Sequence, residues 1–401
     1  MTKSIKIALI LLVSSASLNS YSQKLFQQKE IKNAETQTNL MLTEIDKADH
    51  NGGKLVSPRT IENNKLKLVA AKDWTSGFFP GELWYLFELT KKDKWRQEAI
   101  KFTNLIEAEK LNATTHDMGF KIYCSFGNAF RLTPSDNYKA VIIQSAKTLA
   151  TRFNPKVGLI RSWDHHQEQW KYPVIIDNMM NLELLFEATK LSGDSTYYKI
   201  AVAHANNTMK NHFRPDFSSF HVVGYDAETG LVEKKNTHQG FSDASAWARG
   251  QGWALYGYTL CYRETKDPKY LKQAENVANF IFTNQNMPKD LVPYWDFNAP
   301  NIPNEPRDVS AATVMASALF ELSTYSNQRK DYVSKANQIL KSISEHYTSG
   351  LGTRNGFILD HSTGSKPQNS EVDVPLSYAD YYYLEALVRA NRLKNHQSVI
   401  Q

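Results

Sequence analysis

The chain has 401 residues and a formal net charge of +6, from 47 Lys and Arg against 41 Asp and Glu. So mild an excess, with no basic run interleaved with aromatics, does not point to nucleic acid, and it is compatible with an acidic substrate without arguing for one. Only Cys124 and Cys261 are present, and no Cys and His residues stand at metal-ligand spacing; no metal or other cofactor is expected. Both thiols sit in apolar surroundings and read as buried and unpaired, with a single disulfide as the alternative.

At the start, Lys3 and Lys6 precede the apolar run 7–13, and small polar residues lead to Ser22. That is the pattern of a signal peptide over 1–22. The run is too short to span a bilayer, and no other stretch approaches a span, so no membrane segment is expected. About 380 residues remain, enough for one large domain, and no linker divides 23–401.

Helical periodicity dominates from there. Segments are expected at 25–47, up to Thr90, 94–110, His116 to Arg131, 135–153, Asp177 to Leu191, 194–212, Asp243 to Glu264, 267–283, 308–325, 329–346 and 378–393. A polar stretch carrying Gly52, Gly53 and Pro58 follows the first. A long excursion over 213–243 holds short β-like pieces, and a Gly-rich loop covers 349–371. Every second segment is apolar all round, and the others carry Lys and Glu on one face, as inner and outer helices would. Asp73, Asp117, Asp177, Asp243, Asp308 and Asp380 stand at the starts of the apolar ones, roughly 45 to 70 residues apart, an internal period of helix pairs. The fold expected is therefore all-α, an (α/α)6 toroid of six hairpins. Its inner-helix N-termini share one mouth, where acids, Trp residues and positive dipole ends gather.

Asp177 follows the apolar run Val174-Ile175-Ile176 and opens a packed segment. Burial there raises a carboxyl pKa and makes a proton donor; an ordinary helix cap is the alternative. Asp117 enters on the preceding inner segment, and two carboxylates across a cleft suit glycoside chemistry. Arg249 and Trp253 share a helix face, with Trp247 beside them. A guanidinium near indole rings suits a sugar carboxylate, whereas a local ion pair over core Trp residues is the plainer account. Trp74 and Trp163 are loop aromatics that either stack on sugars or pin their loops. His221 alternates with apolar neighbours, as a structural His also would. His165 and His166 are adjacent, and adjacent His residues rarely chelate one ion.

The stretches DWTSGFFPGELW (73–84), HDMGF (116–120), IDNMMNLELL (176–185), HFRPDFSSFHVVGYD (212–226), THQGFSDASAWARGQGWALYG (237–257) and VPLSYADYYYLEAL (374–387) resemble, in order, glycoside hydrolase family 88, the unsaturated glucuronyl hydrolases. The resemblance implies removal of a 4,5-unsaturated uronic acid from lyase-generated oligosaccharides. A proton goes to C4 and water adds at C5; the hemiketal then collapses and frees the shortened saccharide. It implies Asp177 as general acid and base, Asp117 as assisting acid, and His221, Gln239, Trp247, Arg249 and Trp253 around the sugar. His116 and Trp74 match in place. Arg249, on charge alone, would be free to hold the C5 carboxylate. Lys366, in the Gly-rich loop, either meets a sulfated neighbouring sugar or is simply solvated. The partners expected are anionic unsaturated oligosaccharides, with ulvan and glycosaminoglycan fragments as candidate sources, and the chain is expected to be a monomer. Export together with this chemistry suits a periplasm better than full secretion. The alternatives are an unsaturated rhamnogalacturonyl hydrolase and a conventional inverting glycosidase.

Overall fold

The computed structural model describes residues 26–400; the expected signal peptide lies outside them. The first helix, α1, covers 26–47. The second, α2 (Phe78–Thr90), follows a hairpin of β1 (Leu55–Glu62) and β2 (Lys65–Ala70). Next come α3 (Asp93–Asn104) and a π-helical stretch, Gly119–Gly127, that runs straight into α4 (Asn128–Leu132). Beyond α5 (Asp136–Ala150) lie the short pair β3 (Phe153–Asn154) and β4 (Leu159–Ile160), then β5 (Tyr172–Ile175). A 3-10 turn, Ile176–Asn181, leads from β5 into α6 (Leu182–Ser192), and α7 (Ser195–Asn211) returns. Strands β6 (Val222–Tyr225) and β7 (Val232–Asn236) join β5 in a three-stranded antiparallel sheet. Helices α8 (Ala248–Thr265), α9 (Pro268–Thr283), α10 (Val309–Leu322) and α11 (Arg329–His346) follow. The hairpin of β8 (Ser362–Ser365) and β9 (Ser370–Val374) then precedes α12 (Ser377–Lys394).

Local chemistry explains the ends. Ser135, Asp194 and Asp267 each accept a backbone N–H from the first turn of α5, α7 and α9, and Pro268 occupies the N-terminal turn of α9, where its missing N–H costs nothing. These outer helices bury one face each. The inner ones have no solvent side: all 14 residues of α10 are buried. Packed side by side, α2, the π/α4 segment, α6, α8, α10 and α12 close on α2 again, and α3, α5, α7, α9 and α11 each cover a neighbour from outside, while α1 bonds to α2 through Thr38 and Glu82 and to α12 through Glu30 and Tyr383. This is the expected toroid of six hairpins.

Among the described residues, all nine strands lie in the segments that lead into inner-helix N-termini, so the β-structure builds the mouth. Two hairpins went unforeseen. Pro58 argues against a strand, yet β1 contains it beside a register shift, where the missing N–H is tolerated. Its turn, Asn63-Asn64, has positive φ at both residues (51° and 60°), the signature of a two-residue hairpin turn. The Gly-rich loop likewise contains β8 and β9. Asp243 does not open a helix: it is exposed in the loop before α8, and Trp247 occupies the cap. Asp380 lies inside the first turn of α12 and accepts the N–H groups of Ile358 and Leu359, both at 2.9 Å. Cys124 and Cys261 are buried and unpaired, as expected.

Candidate active site

Strand pairing brings the acid and a histidine together. In the β5–β6 ladder Ile175 faces Val222, and the Ile176 N–H donates to the His221 carbonyl at 3.1 Å. Asp177 is the next residue after Ile176, which makes it a neighbour of His221, with His221 Nε2 and Asp177 Oδ2 3.6 Å apart. Ser162 ties in the other acid. Its hydroxyl oxygen accepts the Ile175 N–H at 2.9 Å, and its carbonyl accepts the His116 N–H at 3.1 Å. Asp117 follows, held by the Thr115 hydroxyl at 2.5 Å and by His116 Nε2 at 3.2 Å. The two carboxylates are thus set by different elements, a 3-10 turn and the entry to a π-helix, neither of which is a plain α-helix start.

The environments divide the pair chemically. Burial pushes the Asp177 carboxyl up to about 6; His116, Arg249 and its own backbone N–H oppose this, and the negative charge of Asp117 adds to it. Burial also acts on Asp117, but His116, the Thr115 hydroxyl and Lys121 outweigh it and hold that carboxyl below its ordinary value. Two acids with such different proton affinities serve as donor and anion at one pH. Burial, with His238 and Arg249, holds His221 far below the usual imidazole range, so its ring is neutral. His221 Nδ1 accepts the N–H groups of His238 and Gln239, both at 3.1 Å. The ring proton therefore sits on Nε2, facing Asp177. Asp177 Oδ2 and His221 Nε2 have no hydrogen-bond partner in the protein, and buried polar atoms without partners are costly unless a ligand completes them.

Other expected residues fall around this pair. Trp247, at the cap of α8, packs its ring 4.6 Å from that of His221. Trp74 is half-buried among Phe78, Phe120 and Tyr378. Gln239 Nε2 donates to the Gly364 carbonyl at 3.1 Å, linking the histidine-holding loop to β8. Trp163 is partly buried, with the His165 ring stacked parallel on it at 5.1 Å. No group of His, Cys, Asp or Glu able to hold a metal occurs among the described residues.

Two expectations need correction. Arg249 is not free. Its Nη1 donates to Asp308 Oδ2 and to the Thr363 carbonyl, and its Nη2 to the Gly364 carbonyl, all at 2.6 Å. The residue is 1% exposed and its guanidinium lies over the Trp247 ring. It builds the wall by pinning β8 and acts on the acid through charge. Trp253 has no exposed surface and packs on Phe120 and Tyr382, beneath the mouth rather than in it. Four contributors escaped the sequence reading. Thr115 and Ser162 carry no pattern that marks them. Asp308 was visible as a helix opener but not as the partner of Arg249, since 59 residues separate them. Tyr378, with a fully buried and unpartnered hydroxyl, lies 5.4 Å from the same guanidinium.

The model of Glycosyl Hydrolase Family 88 matches residues 48–383. The chain belongs to glycoside hydrolase family 88. The unsaturated glucuronyl hydrolase of Formosa agariphila is 56% identical over 327 residues, 81% of this chain and 82% of that protein. An unsaturated chondroitin disaccharide hydrolase of Streptococcus pneumoniae is 34% identical over 83% of this chain and 85% of its own. Among solved structures, an unsaturated glucuronyl hydrolase specific for heparin superposes with a TM-score of 0.87 at 44% identity, covering 92% of this chain and 98% of that one. A second, from a Bacillus species and responsible for glycosaminoglycan degradation, gives 0.84 at 28% identity, covering 93% and 98%. Membership of this family makes the chain a glycoside hydrolase, and the toroid is the fold it shares with these structures.

Proposed function

We propose that this unsaturated glucuronyl hydrolase uses Asp177 as its general acid and base. The observation that carries the assignment is the buried Asp177 carboxyl, protonated up to about pH 6 beside an Asp117 held ionised. Its neutral form gives a proton to C4 of a 4,5-unsaturated uronic acid, converting the electron-rich enol ether to an oxocarbenium-like centre at C5. The resulting carboxylate then takes a proton from water as its oxygen bonds to C5. The hemiketal so formed opens, and the shortened saccharide leaves with its hydroxyl restored. Asp117 orients His116 and keeps Asp177 protonated through its charge. His221 offers Nε2–H to the reacting face, and Trp74, His116, Gln239 and Trp247 surround the sugar.

The substrates are anionic unsaturated oligosaccharides left by polysaccharide lyases, with glycosaminoglycan or ulvan fragments as sources; the relatives named for chondroitin and heparin products support the first. An exported, periplasmic monomer suits this role. The test follows the ultraviolet absorbance of the conjugated enol-ether carboxylate with a panel of lyase products, including unsaturated rhamnogalacturonan fragments. Loss of that absorbance on glucuronyl substrates, abolished by Asp177→Asn, supports the proposal. Turnover confined to saturated glycosides would identify an inverting two-carboxylate glycosidase, and turnover confined to rhamnogalacturonan products would identify the other uronyl hydrolase.

A further inference from the structure

Asn181 is the last residue of the 3-10 turn and passes into α6 with helical backbone angles (φ −81°, ψ −10°), so its side chain is not needed as a cap for its own helix. It makes no capping bond there. Its Oδ1 instead accepts the N–H of Phe120 at 3.1 Å. That N–H is one of the free donors at the start of the π-helix, three residues after Asp117, while Asn181 lies four residues after Asp177. The side chain is fully buried. The backbones also touch here: a Cβ on Gly119 would fall 2.6 Å from the Asn181 Cα and 2.8 Å from its Oδ1. Asn181 thus gives its side chain to a free donor of the neighbouring helix, across a close approach of the two turns that carry the acids.

We propose that Asn181 is a positioning residue that fixes the Asp117 turn against the Asp177 turn, and that its cross-helix bond to Phe120 sets the separation and orientation of the two carboxylates. The inference rests on the assignment of Asp177 as the acid. It follows from the construction of the site: one turn is anchored by strand β5 and the other by the Ser162 carbonyl, so both are held from the N-terminal side. Asn181 and Gly119 supply the lock on the C-terminal side. A group that touches no substrate should act on the chemical step and leave ground-state binding alone.

The experiment compares Asn181→Leu, which keeps the branching of the side chain and removes the acceptor, with Asn181→Asp, which keeps both. Asn181→Leu should lower kcat about 10- to 100-fold, the size expected when a catalytic group is misplaced by about an ångström, with KM within about threefold. Its alkaline rate limb should move to lower pH, because the Asp117 charge that raises the Asp177 carboxyl moves away. Asn181→Asp should recover most of the lost kcat, its buried carboxyl still accepting from Phe120. Asn181→Ala carries the same test if the Leu variant does not accumulate. A folded Leu or Ala variant with wild-type kcat and limb, or with KM alone changed, overturns the inference. So does an Asp variant no better than Leu. Asp177→Asn measured alongside separates the two claims: if it stays active, the acid is misassigned; if it is inactive while Asn181→Leu is normal, only the clamp fails.

Discussion

The proton on Asp177 is the property most open to measurement. The rise from 3.8 to about 6 makes ionisation of this carboxyl about 3 kcal/mol harder than in water. If its neutral form gives the proton, kcat/KM should hold level up to about pH 6 and then fall about tenfold per pH unit. Roughly one molecule in ten would be competent at about pH 7. Asp117→Asn removes a negative charge that raises the Asp177 carboxyl, so the limb should move to lower pH. The assay is the loss of enol-ether absorbance across a pH series. Where the variant is too slow, the 13C resonance of the Asp177 carboxyl reports the same titration. A wild-type limb centred near 4, or an Asp177 titration that rises or stays fixed in Asp117→Asn, would refute the reasoning.

Other outcomes follow from the same geometry. Asp308→Asn strands the Arg249 charge in a site where both partners are essentially unexposed (1% and 0%), and should cost about 3–5 kcal/mol of stability by urea unfolding. Gly119→Ala puts a methyl group against the Asn181 backbone and should destabilise by about 1–3 kcal/mol, with a fall in kcat that exceeds any change in KM. Burial lowers the His212 ring from 6.5 to about 4. A depressed folded-state value means that the unfolded chain binds the proton first. The stability this gives is complete above about pH 6.5 and is lost as pH falls towards about 4, up to about 3 kcal/mol. Chemical denaturation at the two ends of that window should show the loss, and His212→Gln should flatten it.

The toroid was legible from the chain because its signal is local and repeated. Alternate helices with and without a polar face, at a period of roughly 45 to 70 residues, admit few closed arrangements. Asp177 was legible for the same reason: an acid placed directly after Val174-Ile175-Ile176 is carried into the interior by its neighbours. Periodicity says nothing about side chains far apart in sequence. Arg249 looked like a free receptor because Asp308 and the carbonyls of Thr363 and Gly364, up to 115 residues away, are brought to it only when the ring closes. Trp253 read as a sugar platform because the helix face it shares with Arg249 is plain in the sequence, while the depth of that face is not. The split between a protonated Asp177 and an ionised Asp117 was likewise decided by assembly. Asp177 is buried and Asp117 is partly so, and which one keeps its proton depends on the donors packed against each: His116, Thr115 and Lys121 gather at Asp117, while Asp177 Oδ2 is left without a partner.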